Sequence, residues 1–576
     1  MKSLFLLTSL IFPAIAQVPL PTPFLPPNAT AGAQPSSGGS PNPQWSTLLG
    51  NAIYFYEAQR SGELPSTNRV KWRNDSAIHD GSDAGLDLSG GYYDAGDYIK
   101  CTYPLSFTIM SICWGASDFG KGYDMANQTA YLDDMLRWSL DWLMKAHPQP
   151  NTLFVQVANA DLDNAYWGGD LNIPEPRPSY QINDTNPGTD AAAAASAAFS
   201  ACSALYANRS SPSPFDARAS LQNNTYASIL LTHAQQLYQF AQNASGGQMT
   251  YQTSVPVVAE AYASSSYQDE LTLAALFLAS AENSTDLYEQ AEGYYKKFGL
   301  SGYDGVFNWD SKTPGLAVLF SQLAQAGLGG DMSMWQAEAE SYFDDIVNKK
   351  GPGFLTNGGL LWYDGDSDDA SLNPALNAAM LLTRYAPLAT SSDKTTAYLN
   401  FAKSQVDYAL GKNPMSAPYV VGSNPNSPSN PHSAMASGGD DIGAINTSPE
   451  QEAYVLYGAV VGGPDEKDRF YDIRSDWVET EPALDYNAPM LTIAAMHVIN
   501  DTSDPFFTSI QAGEYLKNKP QGTPCDAAFP CEASELPKGA MIAIGLIVGL
   551  VGLVIVALGA SWIWFAIRRG GKSESA

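Results

Sequence analysis

The sequence predicts an all-α fold of about twelve helices, paired and closed into a toroid, with one further helix near the C-terminus. Three observations lead there. Apolar residues recur at three- and four-residue spacing in twelve stretches, Gly, Pro or Asn punctuates them, and long irregular loops join them within one continuous region.

The chain opens with Met1-Lys2 and an apolar run, Leu4 to Ile15, ending Ala14-Ile15-Ala16; residues 1–16 read as a secretory signal peptide. Residues 17–44, rich in Pro, Gly, Ser and Asn and without apolar periodicity, read as a flexible leader. Helical patterns follow near 45–60, 98–119, 130–146, 189–206, 226–241, 267–281, 287–297, 312–326, 333–349, 373–386, 393–410 and 487–498. In the third, Tyr131, Leu132, Met135, Leu136, Leu140, Leu143 and Met144 make one stripe. Long loops within a compact domain are usually functional, and here they span 61–97, 147–188, 411–486 and parts of 298–311 and 350–372. They carry Tyr92, Tyr93, Tyr166, Trp167, Trp309, Trp362, Trp477 and Tyr486 among many carboxylates, the make-up of a carbohydrate cleft where rings stack on sugar C–H faces. For any single ring, anchoring its loop to the core is the plainer reading.

Residues 45–500 form the expected catalytic domain, and 501–538, with few periodic apolar positions, read as a stalk. Residues 539–567 are uncharged and long enough to span a bilayer. Trp562 and Trp564 near their far edge, then Arg568, Arg569 and Lys572, put the tail 568–576 in the cytosol by the positive-inside rule. The expectation is a secretory-pathway, cell-surface, single-pass type I membrane protein with its catalytic domain outside. Lys+Arg 30 against Asp+Glu 59, a net charge of −29, argues against nucleic acid or anionic lipid as a partner and favours a neutral or cationic one. Ten N-x-S/T sequons, at Asn28, Asn74, Asn127, Asn183, Asn208, Asn223, Asn243, Asn283, Asn446 and Asn500, suit a eukaryotic secretory chain. Five cysteines are too few for a disulfide scaffold. Cys101 and Cys113 sit on one predicted helix, about 18 Å apart and too far to bridge each other. Cys525 and Cys531 can close a small loop, and no CxxC pair or His/Cys cluster offers a zinc site.

Chemistry gathers at Ser89-Gly90-Gly91-Tyr92-Tyr93-Asp94-Ala95-Gly96-Asp97-Tyr98. Asp94 and Asp97 flank a glycine just ahead of a predicted helix, whose orphan N–H groups and dipole favour ionised carboxylates that can polarise water. An Asx turn with a helix cap is the plainer reading of such a pair taken alone. The second constellation runs from Phe470 to Ala488, where Glu481 stands beside Pro482 among aromatics that desolvate a carboxyl and raise its pKa. Carboxyls pushed in opposite directions divide acid from base work, as in glycoside hydrolysis.

With these residues in place the chain resembles glycoside hydrolase family 9, the endoglucanases built as (α/α)6 barrels. Asp94-Ala95-Gly96-Asp97 matches the family's base motif, and Lys71-Trp72-Arg73, Asp83 and Gly85-Leu86-Asp87 lead into it as in relatives. Phe470, Asp472, Trp477, Glu481, Ala483, Asn487 and Ala488 fit its second signature at every fixed position. Asn186-Pro187-Gly188-x-Asp190 and Gly411-x-Asn413-Pro414 are further landmarks. The resemblance implies a membrane-anchored, eukaryotic (fungal) member, an inverting endo-β-1,4-glucanase acting on a β-glucan polysaccharide as a monomer, with no cofactor needed for the chemistry. It implies Asp97 as general base, Asp94 as its helper at the water, and Glu481 as general acid. It implies His432, Tyr486, Trp309, Trp167, Tyr93 and Asp472 as substrate contacts, and Ser265, Ser266, Asp269, Glu270 and Asp310 as a structural calcium site. Four positions depart from the family pattern. Ala434 stands where an arginine is usual, Asp369 and Asn373 replace a Trp/Arg pair, and Tyr98 replaces a histidine. The competing readings are an exo-β-glucosaminidase or glucosidase of the same fold, and a catalytically quiet glycan-binding protein.

Overall fold

Among the described residues, twelve long helices form where the periodic stretches stand. They are α1 Pro43–Ala58, α2 Thr102–Phe119, α3 Thr129–Ala146, α4 Thr189–Tyr206, α5 Asn224–Asn243 and α6 Gln268–Glu282. Then follow α7 Thr285–Phe298, α8 Thr313–Gln325, α9 Met332–Asn348, α10 Leu372–Tyr385, α11 Ser392–Ala409 and α12 Leu484–Asn500. The computed structural model describes residues 17–31, 34–208, 219–531, 558–559 and 561–564. Local chemistry sets the ends: Asn42 accepts the N–H groups of Gln44 and Trp45 ahead of α1, and Asn283 and Gly299 close α6 and α7 in the left-handed conformation.

Burial sorts these helices into two rings. Every residue of α10 and all but one of α2 and of α4 are buried, whereas α7 buries only Tyr288, Ala291 and Tyr295. A helix covered all round lies inside, and one with a single apolar stripe lies outside. Around the inner ring α2, α4, α6, α8, α10 and α12 each pack on the next, and α12 returns to α2. Outside them α3, α5, α7, α9, α11 and α1 pack on α2, α4, α6, α8, α10 and α12 in turn. The predicted toroid is therefore a closed double ring.

A disulfide joins Cys113 on α2 to Cys202 on α4, two neighbouring inner helices; Cys101 is free and buried, and Cys525 and Cys531 are both disulfide-bonded. Strands β1 Lys100–Cys101, β2 Thr152–Val157 and β3 Ser179–Asn183 form an antiparallel sheet, and β4 Phe354–Leu355 pairs with β5 Leu361–Trp362. The sheet corrects the expected start of the second helix at 98. Lys100 pairs with Val157 and Cys101 with Gln156, so the Asp94 loop enters α2 through a strand.

Three expectations about the ends also change. The leader is docked rather than free: Val18, Leu20 and Phe24 pack on the core, and the Val18 N–H donates to Asp133 at 2.8 Å. The first part of the expected stalk is docked as well. Phe507 and Tyr515 are buried, Trp45 Nε1 donates to Ser503 O at 3.0 Å, and Tyr515 Oη donates to Phe470 O at 3.0 Å. The expectation of a type I membrane protein at the cell surface is overturned, because no helix among the described residues is long and apolar enough to cross a membrane. The signal segment 1–16, the tail 568–576, the stalk's end 532–538 and most of 539–567 lie outside the described residues.

Candidate active site

Gly96 is where the two sequence motifs meet. Its N–H donates to Glu481 Oε1 at 2.9 Å, and its carbonyl accepts the Ala434 N–H at 2.7 Å. A Cβ here would stand 2.1 Å from the His432 carbonyl oxygen and 3.0 Å from Glu481 Oε1, so close approach alone demands glycine. The rest of the loop is pinned from several sides. The Asp94 N–H donates to Ile99 O at 3.0 Å, the Leu484 N–H at the start of α12 donates to Asp94 O at 3.0 Å, and Gln59 Nε2 donates to Ala95 O at 2.6 Å.

Glu481 follows a short helical turn, Trp477–Thr480, capped by Asp476. The Glu481 N–H donates to Trp477 O at 3.2 Å, and its carbonyl accepts the Gly462 N–H at 3.0 Å. His432 hangs on the same turn: its N–H donates to Thr480 O at 3.1 Å, and Nδ1 bonds Arg474 O at 2.7 Å, which assigns the ring proton to Nδ1. Burial lowers the His432 pKa to about 4, so the ring is neutral.

Burial likewise governs the carboxyls. It holds Glu481 well above the usual range, the charge on Asp97 adds to this, and the Gly96 N–H pulls back. Asp94 is also pushed well up by burial, against a hydrogen bond donated by the Tyr262 hydroxyl. Asp97 is raised by burial too, but less, because Asp163, the Ile99 N–H and the Arg177 charge all favour its ionised form. The expectation that Asp94 and Asp97 stay low is therefore corrected. Strand β1 separates them from the helix N-terminus, and desolvation outweighs what remains. What survives is the place of Asp97, the most readily ionised of the three.

Sequence reasoning missed Asp163, Tyr262 and Arg177. Asp163 lies on a helical turn, Ala160–Asn164, accepts the Tyr98 N–H at 2.9 Å, and hydrogen-bonds the Asp97 carboxyl. Burial and the Asp97 charge push its pKa well up, so Asp163 is the partner that keeps the proton. Arg177 donates to Tyr98 O at 2.9 Å and is locked on Asp80 at 2.8 Å, which also takes Lys100 at 2.6 Å. These residues are far from the motif in the chain, and no spacing signal links them to it.

The implied substrate contacts separate into two groups. Trp309 is half-buried, edge-on to Tyr262 at 4.8 Å and to Tyr103 at 6.0 Å; Tyr486 is half-buried on the first turn of α12. Both keep surface for a ligand. Tyr93 does not: it is wholly buried, with its hydroxyl donating to Ser76 Oγ at 2.8 Å. Trp167 is 3% exposed and lies 5.0 Å from the His432 ring, which places it behind the histidine. Asp472 is buried and accepts the N–H groups of Ser429 and Asn430, so it shapes the turn ahead of His432. Of the departing positions, Ala434, Asn373 and Tyr98 are internal as well, whereas Asp369 is exposed. Ala434 is wholly buried, Asn373 donates to Asp485 at 2.7 Å, and Tyr98 donates to Gly168 O at 2.6 Å.

At the implied calcium site, the Lys312 ammonium bonds Glu270 Oε1 at 2.8 Å and Trp309 O. The Lys312 N–H donates to Asp269 at 2.6 Å, and the Ser265 N–H donates to Asp310 at 2.8 Å. Glu270 Oε2 is buried without a hydrogen-bond partner, and burial with the crowding Asp269 carboxyl pushes Glu270 well up. An orphaned oxygen beside a second carboxylate fits a cation there, although Lys312 already supplies one charge.

Comparison with known proteins points to one family. A model of glycosyl hydrolase family 9 matches residues 45–494. Endoglucanase 15 of Arabidopsis thaliana is 35% identical over 491 residues, covering 79% of this chain and 94% of that one. Endoglucanase B of Cellulomonas fimi is 36% identical over 464 residues, 78% of this chain and 42% of its own. The solved endoglucanase of the termite Nasutitermes takasagoensis superposes with a TM-score of 0.70 at 36% identity, covering 79% of this chain and 98% of that one. Clostridium thermocellum endoglucanase CelQ complexed with cellotetraose superposes at 0.68 with 27% identity, covering 80% and 71%. These relatives are plant, bacterial and insect proteins and lend no support to a fungal source.

Proposed function

The chain belongs to glycosyl hydrolase family 9, and from that premise we propose how its carboxyls divide the work. It is a glycoside hydrolase, an endo-β-1,4-glucanase cutting internal bonds of cellulose or related β-glucans. In our reading Asp97 is the general base, Asp94 helps hold the attacking water, and Glu481 is the general acid. The observation that carries this is the Gly96 junction, where the most easily ionised carboxyl and a strongly protonated one flank a single peptide. Glu481, neutral over a wide pH range, gives its proton to the leaving oxygen as Asp97 takes one from water attacking the other face. A water between the two requires carboxyls roughly 6.5–9.5 Å apart and inverts the anomeric carbon. Trp309 and Tyr486 offer ring faces to the sugars, and His432 offers Nε2 as a neutral acceptor. Proton NMR of the first-formed sugar from a β-linked oligosaccharide should show the α-anomer; a retained β-anomer refutes the mechanism.

Ser265, Ser266, Asp269, Glu270 and Asp310 would hold a structural calcium, all-oxygen donors suited to a hard cation. Glu270 Oε2, buried and without a hydrogen-bond partner, supports that reading. Such an ion would brace the Trp309 loop and enter no chemical step.

A further inference from the structure

Asp476, Glu479 and Asp526 each bring a carboxylate oxygen to within 4.8 Å of the others. The first two frame the turn Trp477–Thr480 that delivers Glu481, and the third comes from the docked C-terminal segment. Asp476 is 0% and Glu479 1% exposed. One oxygen of each is engaged: Asp476 Oδ1 accepts the Glu479 N–H at 3.3 Å, and Glu479 Oε2 accepts the Tyr471 N–H at 2.6 Å. The other oxygens, Asp476 Oδ2 and Glu479 Oε1, are buried without a hydrogen-bond partner. Native structures seldom leave such atoms unpaired, because the lost hydration is then not recovered. The charges acting on both side chains are those of Asp465, Asp526 and, for Glu479, Asp476, all negative. Arg469 is taken by Asp465 at 2.5 Å. A cavity of about 310 Å³ lies alongside, lined by Glu479, Asp526, Asp368, Asp465 and Lys467 among others.

We propose that Asp476, Glu479 and Asp526 bind a divalent cation, calcium by its chemistry, which ties the C-terminal segment to the turn that carries Glu481. Oxygens no more than 4.8 Å apart can share an ion at roughly 2.3–2.6 Å from each. The donors are all oxygen, which selects a hard cation over zinc or copper, and their irregular setting suits calcium's flexible coordination better than magnesium's octahedron. The ion supplies the positive charge this cluster lacks and gives both orphaned oxygens a partner. The role given to Glu481 rests on the preceding section, whereas the ion site does not.

The test therefore reads binding rather than hydrolysis. Full-length protein freed of metal by chelation is titrated with CaCl2 by calorimetry, wild type beside Asp526→Asn and Glu479→Gln. Asp526 is only half-buried, so its amide variant should fold as the wild type does. The expected result is one calcium fewer per chain in Asp526→Asn, or that site weakened at least tenfold, with a smaller calcium-induced rise in Tm. Equal stoichiometry and affinity in wild type and Asp526→Asn overturns the proposal. So does a wild type that binds no calcium, which would mean that the cluster neutralises itself by holding protons.

Discussion

Gly96→Ala puts one methyl group where base loop and acid loop touch. Its Cβ would lie 2.1 Å from the His432 carbonyl oxygen, and restoring even a 3.0 Å contact means a shift of about 0.9 Å. The obstacle is backbone, so no side-chain rotation relieves it. His432 is tied through its N–H to Thr480 O, the residue before Glu481, and the shift therefore passes to the acid. A misplacement of about 1 Å costs on the order of a hundredfold in rate, or about 2.7 kcal/mol of barrier. Overpacking by one carbon should cost about 1–3 kcal/mol in stability, which leaves a chain of this size folded. The assay compares initial rates on a soluble β-glucan with those on an aryl cellobioside whose leaving group needs no proton. The polysaccharide rate should fall about a hundredfold, mainly in kcat, and the aryl cellobioside rate far less. Equal losses on both substrates would refute the reasoning, since the base would then have moved instead, and so would a variant as active as wild type.

The pH dependence of kcat/KM should be a bell. It rises as Asp97 ionises, above the ordinary aspartate range, and falls only as Glu481 loses its proton, well above the ordinary glutamate range; Glu481→Gln should abolish the alkaline limb. Tyr262→Phe removes the hydroxyl that favours the charged form of Asp94, so the Asp94 pKa should climb further. Kinetics should show about a tenfold loss, because a more protonated Asp94 holds the water less well, with the acid limb set by Asp97 left in place. Ala434→Arg would bury a guanidinium among Tyr93, Tyr98 and Trp167, and thermal melting should show a loss of at least about 3 kcal/mol or failure to fold. Wild-type stability would instead mean that this side chain reaches the cleft. In Asp526→Asn, chelation should still lower Tm, because Asp269, Glu270 and Asp310 remain; no change would remove calcium from that loop.

The ring of helices was legible because inner helices such as α10 are apolar on most sides and outer ones such as α7 on a single stripe, which is what periodicity measures. The Asp94 and Glu481 motifs were legible as motifs. Their pKa values were not, because desolvation depends on what packs over a carboxyl, and for Asp94 that includes Tyr262, 168 residues away. Tyr93 and Trp167 misled for a related reason. An aromatic in a loop beside a catalytic residue looks alike in sequence whether it faces sugar or core, and here Ser76 and His432 claim them. The leader and stalk were read from composition, and a few apolar anchors, Val18, Phe24, Phe507 and Tyr515, are enough to dock them.

The buried charges around Asp97 are arranged for chemistry more than for stability. Buried ion pairs such as Asp80 with Lys100 and Arg177 gain little net free energy, since desolvation offsets their attraction. Burial even pulls the Lys100 pKa down to about 8. What the network does is fix Arg177 beside the Tyr98 carbonyl, where its charge acts on Asp97. The charges acting on Glu481 are those of Asp97 and Asp94, both negative, so ionising the base helps to keep the acid protonated. The hydrogen bonds of Asp163 and the Ile99 N–H, with the Arg177 charge, act on one side only of the Gly96 junction and so divide the neighbouring, desolvated carboxyls into base and acid. Replacing Asp80, Lys100 and Arg177 together by apolar residues should leave the fold about as stable as before, but Asp97 would lose part of the advantage in ionising that separates it from Glu481.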